Sequence, residues 1–271
     1  MAFTDSLNQL SLPVFGGLSV LLVLVSMFIG SRLGLRSADN GNLSDASIGS
    51  AVAAILALLA FLLAFTFNST AERFIQRKAL LLDEVNAIST TYLRADLLPL
   101  QQRREARALL AEYATLRDID PRRTEDLPQL LARSKAIHAA LWNIVAGLND
   151  AQYDAVRLGK FLDSLNAVID FNTSRIHVGS RYRIPTPMWG ALALVTALAM
   201  FGIGFQLGAG RRGSLQINLA LAFSFSIVIL LIADLDRAAQ GLLIIDQAPM
   251  SELSQELQEA ERKAANPPSD D

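Results

Sequence analysis

The chain contains no cysteine among its 271 residues. That excludes disulfides, cysteine-ligated zinc and thiol nucleophiles together. Histidine is almost as scarce: His138 and His177 are the only two, too far apart in sequence for a spaced metal motif. Each reads as a face-lining or surface side chain. Charged residues make up 18% of the chain, and the net charge of −2 offers no basic excess for nucleic acid. No nucleophile elbow, phosphate-binding loop, H-E-x-x-H pair or dinucleotide fingerprint is present. The chain reads as a non-enzyme, with no cofactor and no metal expected. No Lys or Arg precedes Arg32, so the first apolar run lacks the basic region of a secretory signal. It reads as a retained membrane span.

What the chain has instead is apolar length. Hydrophobic residues make up 52% and mean hydropathy is +0.34, too apolar for an ordinary soluble domain. Four stretches reach the length of a bilayer crossing with few or no charges. They are LPVFGGLSVLLVLVSMFIG before Arg32, SIGSAVAAILALLAFLLAFTF before Glu72, Pro185 to Gly210, and Ser214 to Ala233. As buried helices of a soluble protein they would be four unusually long apolar helices in one small chain. The organisation expected is an all-α membrane protein. A first pair of spans occupies 1–68, a helical insert 69–184, a second pair 185–236 and a partly disordered tail 237–271. Gly, Ser, Asn and Asp crowd SRLGLRSADNGNLSD, and GAGRRGS is similarly loop-forming, so both pairs close through short surface connections.

The insert is helical by period. Leu81, Val85, Ile88 and Tyr92 continue one face of a helix from the second span until Pro99. With no Pro or Gly between Ser50 and Leu98, span and insert helix read as one rod. Leu109, Leu110, Tyr113 and Leu116 mark a further helix, and a series from Leu127 to Val145 marks another. Tyr153, Val156, Phe161, Leu165 and Val168 mark the last. Asp83-Glu84 and Asp118-Ile119-Asp120 read as solvated faces or caps. If both termini are cytoplasmic, Arg73, Arg77, Lys78, Arg175, Arg181, Arg183 and Arg237 lie inside, with Arg32, Arg36, Arg211 and Arg212 outside. The short loops alone vote the other way, so the count leaves sidedness open.

Two places carry an unusual mixture. Phe61 and Phe65 share a helix face, with Ala57 one turn earlier, and Thr66, Asn68, Ser69 and Thr70 follow. A lipid-facing helix has no use for those polar side chains, whereas a helix facing water or other helices does. Repeated around an axis, such a face makes stacked apolar rings, and apolar constrictions gate ions by dewetting. Plain packing of phenylalanines between helices is the other reading of the same period. In DLDR, Asp234 and Arg237 stand three apart where the fourth span meets water and can pair on one face. That pair reads as the end of the span or as a charged ring at a pore mouth.

The string F-L-L-A-F, seven residues, then Arg73-Phe74 resembles the second transmembrane helix of bestrophin channels. There the pattern is Phe-x-x-Gly-Phe, seven residues, Arg and an aromatic; Ala64 replaces the glycine and Phe74 the tryptophan. More closely, LLAFTF, EVNAISTTYLRADLLP with Arg94 and Asp96, and DLDR with Asp234, Asp236 and Arg237 resemble the bacterial bestrophin-like domain family. The resemblance implies a bilayer-embedded homo-oligomer, pentameric in bestrophins, passing small inorganic ions through a pore lined by the second span. It implies a bacterial cytoplasmic membrane, with both termini and the insert on the cytoplasmic side. Ala57, Phe61 and Phe65 would form the neck, with Thr66, Asn68 and Ser69 as polar lining. Arg73, Phe74, Arg94, Asp96, Asp234, Asp236 and Arg237 would be structural motif residues. The acidic calcium clasp of bestrophins has no clear counterpart, since Glu252, Glu256, Glu259 and Glu261 are spaced like a helix face. The opposing reading is a non-conducting membrane scaffold or sensor whose insert binds a partner.

Overall fold

A computed structural model of the protein describes residues 11–39, 45–120, 122, 126–180, 183–210, 215–238 and 241–266. Among the described residues every regular element is helical: α1 (Leu12–Asp39), α2 (Asp45–Arg94), a 3-10 turn (Ala95–Leu97), α3 (Leu100–Arg117), α4 (Leu127–Asp150), α5 (Ala155–Ser180), α6 (Thr186–Ala209), α7 (Leu215–Asp236) and α8 (Ala248–Ala265). The chain divides into two compact units, Met1–Phe74 with Arg183–Leu243 and Ile75–Tyr182 with Ile244–Asp271.

The first unit holds α1, the first part of α2, α6 and α7. Its interior is apolar, with Val23, Met27, Leu59, Met200 and Ile232 fully or almost fully buried. Its exterior is apolar too. Val14, Leu18, Leu21 and Val25 of α1 and Phe223, Ile227, Val228 and Leu231 of α7 all stand exposed. Among the described residues four helices are long and apolar enough to cross a membrane, and an apolar exterior on such helices suits lipid as the solvent. The protein is an integral membrane protein.

Lipid supplies no hydrophobic drive between helices, so these must pack by close approach. Glycine provides it where α1 crosses α6. A Cβ at Gly30 would land on the Phe201 carbonyl, and one at Gly34 on the Phe205 carbonyl. In return, a Cβ at Gly204 would strike the Met27 carbonyl and one at Gly208 the Ser31 carbonyl. Two G-x-x-x-G pairs thus interlock, backbone against backbone. Two hydroxyls of this unit bond within their own helices: Ser19 Oγ donates to the Gly16 carbonyl at 2.8 Å and Thr70 Oγ1 to that of Phe67 at 2.9 Å.

The second unit holds the rest of α2 with α3, α4, α5 and α8. As the period requires, α2 buries Leu81, Ile88 and Tyr92 against Leu110, Tyr113 and Phe161. Val156 is a correction: it is 73% exposed at the first turn of α5, where Asp154 Oδ1 accepts the Val156 and Arg157 amides. A residue in a capped first turn need not follow the inward face. The tail residues of α8 join this unit's core through Met250, Leu253 and Leu257, and Ser254 Oγ lies 3.1 Å from Thr115 Oγ1 of α3. The acidic end expected to be disordered, 267–271, lies outside the described residues.

Helix α2 runs unbroken for 50 residues, about 75 Å at the helical rise. It ends in a 3-10 turn because Pro99 forces Leu98 into an extended conformation, ψ 158°. The boundary between the two units falls inside this helix.

Candidate functional site

The exposed side of α2 within the first unit differs from the faces of α1 and α7. Ala53, Ala57, Ala60, Phe61, Ala64, Phe65 and Asn68 are all exposed. Small alanines dominate in place of bulky aliphatics, and small residues mark faces that meet helices rather than lipid. The two phenylalanines break that smoothness. Phe61 is 65% exposed and Phe65 56%, and their rings lie 6.5 Å apart, inclined by 21°. They form one aromatic ledge a single helical turn high, directly before Asn68.

Of the polar residues expected beside this ledge, only Asn68 shares the exposed face. Thr66 is buried and donates to the Leu62 carbonyl at 2.5 Å, so it is removed from the expected lining. Its position, 100° around the helix from Phe65, turns it toward the unit's interior. Ser69 is half-buried, its Oγ accepting from Arg73 Nη2 at 3.4 Å.

Arg73 reaches Asp236 Oδ1 at 3.3 Å, and the same oxygen accepts the Ile184 amide at 2.9 Å. The motif arginine therefore ties α2 to the end of α7 and the start of α6. Phe74 is half-buried beside it. The expected pairing of Asp234 with Arg237 does not form. Asp234 instead accepts the amides of Leu242 and Leu243 at 2.9 and 3.1 Å, because the chain turns back on leaving α7. Gly241 makes that turn possible: its φ is +128°, and a Cβ there would overlap the Asp234 carboxylate. Arg237 lies over the Phe15 ring, 5.9 Å from its centroid.

In the second unit the notable site is Glu84, which corrects the reading of Asp83-Glu84 as a solvated face. Glu84 is completely buried. Arg117 Nε donates to it at 2.9 Å, Tyr113 Oη at 2.6 Å, and Arg175 Nη1 donates to its second oxygen. Arg175 also donates to Gln247 Oε1 at 2.9 Å. One carboxylate thereby joins α2, α3, α5 and the segment before α8. Burial, then the neighbouring Glu84 charge, pushes the Tyr113 hydroxyl well above its usual range, so it stays a donor. His138 packs at 4.9 Å against the Tyr113 ring, and burial lowers its pKa. It is a buried face residue.

The remaining motif residues close the far end of α2. Arg94 Nη1 donates to the Lys160 carbonyl at 2.8 Å, and Asp96 pairs with Arg107 at 2.7 Å. Between α2 and α5 lies an open cavity of about 320 Å³ bordered by Asp83, Asn86, Thr90, Arg94 and Asp163. Among the described residues no group of three or more metal-ligating side chains occurs.

The interlocked glycines and the Glu84 network were not singled out from the sequence. The former had a readable signal, G-x-x-x-G at Gly30 and again at Gly204. For the latter the helical period sets Glu84 on the Leu81 and Ile88 side, but its arginines, 33 and 91 positions away, gave no signal.

A family model described as the bestrophin-like domain matches residues 17–250. No curated protein matches the chain. Among solved structures, a bacterial bestrophin homologue from Klebsiella pneumoniae is similar at 15% identity and a TM-score of 0.66, over 92% of this chain and 98% of that one. A single-substitution variant of that homologue gives 16% identity and a TM-score of 0.68, over 90% and 98%. At these identities the likeness establishes the fold.

Proposed function

The chain belongs to the bestrophin-like domain family, and from that premise we propose that it is an oligomeric ion channel whose pore is lined by α2. The observation that carries this reading is the exposed α2 face of Ala57, Phe61, Phe65 and Asn68. On α1 and α7 most exposed large residues are aliphatic and suited to lipid; on α2 alanines outnumber Leu58 and Phe67, and a stacked aromatic pair is followed by an amide. Such a face is suited to surround an axis. One copy of four spans encloses no pore, so copies must close into a ring, five by likeness to bestrophins. Phe61 and Phe65 then form the apolar neck that dewets when narrow. The site of action is a bacterial cytoplasmic membrane, and the transported species are small inorganic ions.

The opposing scaffold reading predicts a membrane protein that passes nothing. Purified protein reconstituted in liposomes should dissipate a preset salt gradient faster than protein-free liposomes do. Equal rates for a folded, inserted oligomer would refute conduction.

A further inference from the structure

We infer that Glu72 makes the proposed pore prefer small cations over anions; this rests on α2 lining the pore. Glu72 is exposed, seven residues beyond Phe65 and four beyond Asn68. Seven residues are about two helical turns, so its side chain follows the same face as Phe65 and Asn68. Among the described residues no ion pair or hydrogen bond engages its carboxylate.

The cations close to it in sequence do not cancel it. Arg73 is held by Asp236 at 3.3 Å. Arg77 is buried, 6% exposed. Lys78 is exposed, yet six residues from Glu72 place it about 120° around the helix. The next charge on the Glu72 face is again acidic. Asp83 stands eleven residues on, three turns of helix, and like Glu72 it has no ion-pair partner among the described residues. Asp163 borders the same cavity as Asp83, and the one arginine there, Arg94, spends Nη1 on the Lys160 carbonyl.

A neck of phenylalanine rings has no charge of its own, so it sorts ions by size and hydration and not by sign. Sign must come from the nearest unpaired charge on the same face. In a closed ring each copy would contribute one Glu72 carboxylate just past the neck. Apolar walls beside that ring would focus its field along the path. Cations would be concentrated at the neck and anions depleted.

The test is the reversal potential of reconstituted protein in planar bilayers under a KCl gradient. The wild-type current should reverse near the potassium equilibrium potential. Glu72→Gln should lower the potassium-to-chloride permeability ratio, and Glu72→Lys should lower it by about tenfold or more and favour chloride. Because Glu72 makes no contact that folding depends on, both variants should retain the wild-type assembly on size exclusion. A wild-type current that prefers chloride would overturn the inference. So would a Glu72→Lys current with the wild-type ratio. If currents respond to substitution at Phe61 and Phe65 but not at Glu72, cation choice by Glu72 fails while the α2 pore stands. If a ring-sized assembly passes no current at all, both fail.

Discussion

Liposomes carrying the double variant Phe61→Ala, Phe65→Ala should lose their ion gradient about tenfold faster than wild type, the effect of a barrier lowered by about 1.4 kcal/mol. The reason lies in where the rings are. Within the subunit Phe61 is 65% and Phe65 56% exposed, so truncation leaves no cavity inside the chain. Phenylalanines packed in a core would behave otherwise, costing roughly 3–5 kcal/mol each on truncation and impairing folding. In the proposed pore, removing the ledge would widen and wet the neck. The converse substitution, Ala57→Phe, adds an aromatic one turn from Phe61 and should slow flux. Gradient decay measured with an ion-sensitive dye separates the readings. A folded double variant with wild-type flux would show that these rings are not the gate.

Replacing Glu84 should be the most destabilising single change in the second unit. Its carboxylate is the shared counter-charge of Arg117 and Arg175, both largely buried. Glu84→Ala leaves two guanidiniums facing each other without an anion, and breaking a buried ion pair costs about 3–5 kcal/mol. Against a domain stability of about 5–15 kcal/mol, that is a large fraction. The expected result is a sharply lowered midpoint of thermal unfolding in detergent and a poor yield of assembled protein. Glu84→Gln keeps the shape and the Tyr113 contact but not the charge, and should fall between the two. Restoring stability should require changing the arginines as well, for example Arg117→Met with Arg175→Met beside Glu84→Ala. Apolar replacement of a whole buried charge group is often neutral or better. A Glu84→Ala midpoint equal to wild type would contradict the network's structural role.

These two sites differ in how far the sequence revealed them. The four spans are visible because lipid imposes a requirement that is local in sequence, about twenty apolar residues in a row. The unbroken α2 is visible for a similar reason: no Pro or Gly interrupts it, and Leu81, Ile88 and Tyr92 keep one face through the change from apolar to polar surroundings. The aromatic ledge follows from the four-residue spacing of Phe61 and Phe65. Thr66 was misplaced because hydroxyl content says nothing about direction; its angle on the helix, and its bond to the Leu62 carbonyl, turn it inward. Asp234 was given the wrong partner because the i, i+3 spacing to Arg237 is a helical rule, and α7 ends at Asp236. Beyond that end the chain folds back and delivers backbone amides instead. The Glu84 network was unreadable for a deeper reason. Its partners come from other helices, so the period that sets Glu84 beside Leu81 and Ile88 could place it inward but could not name what it meets there.

Everything proposed for α2 depends on several copies surrounding one axis. Native mass measurement of the detergent-extracted protein addresses this most directly. A closed ring should appear as a single species at about five times the chain mass of 29.4 kDa, the number suggested by likeness to bestrophins, and it should persist on dilution. A species at one or two chain masses under the same mild conditions would leave the α2 face without a pore to line and would contradict the channel.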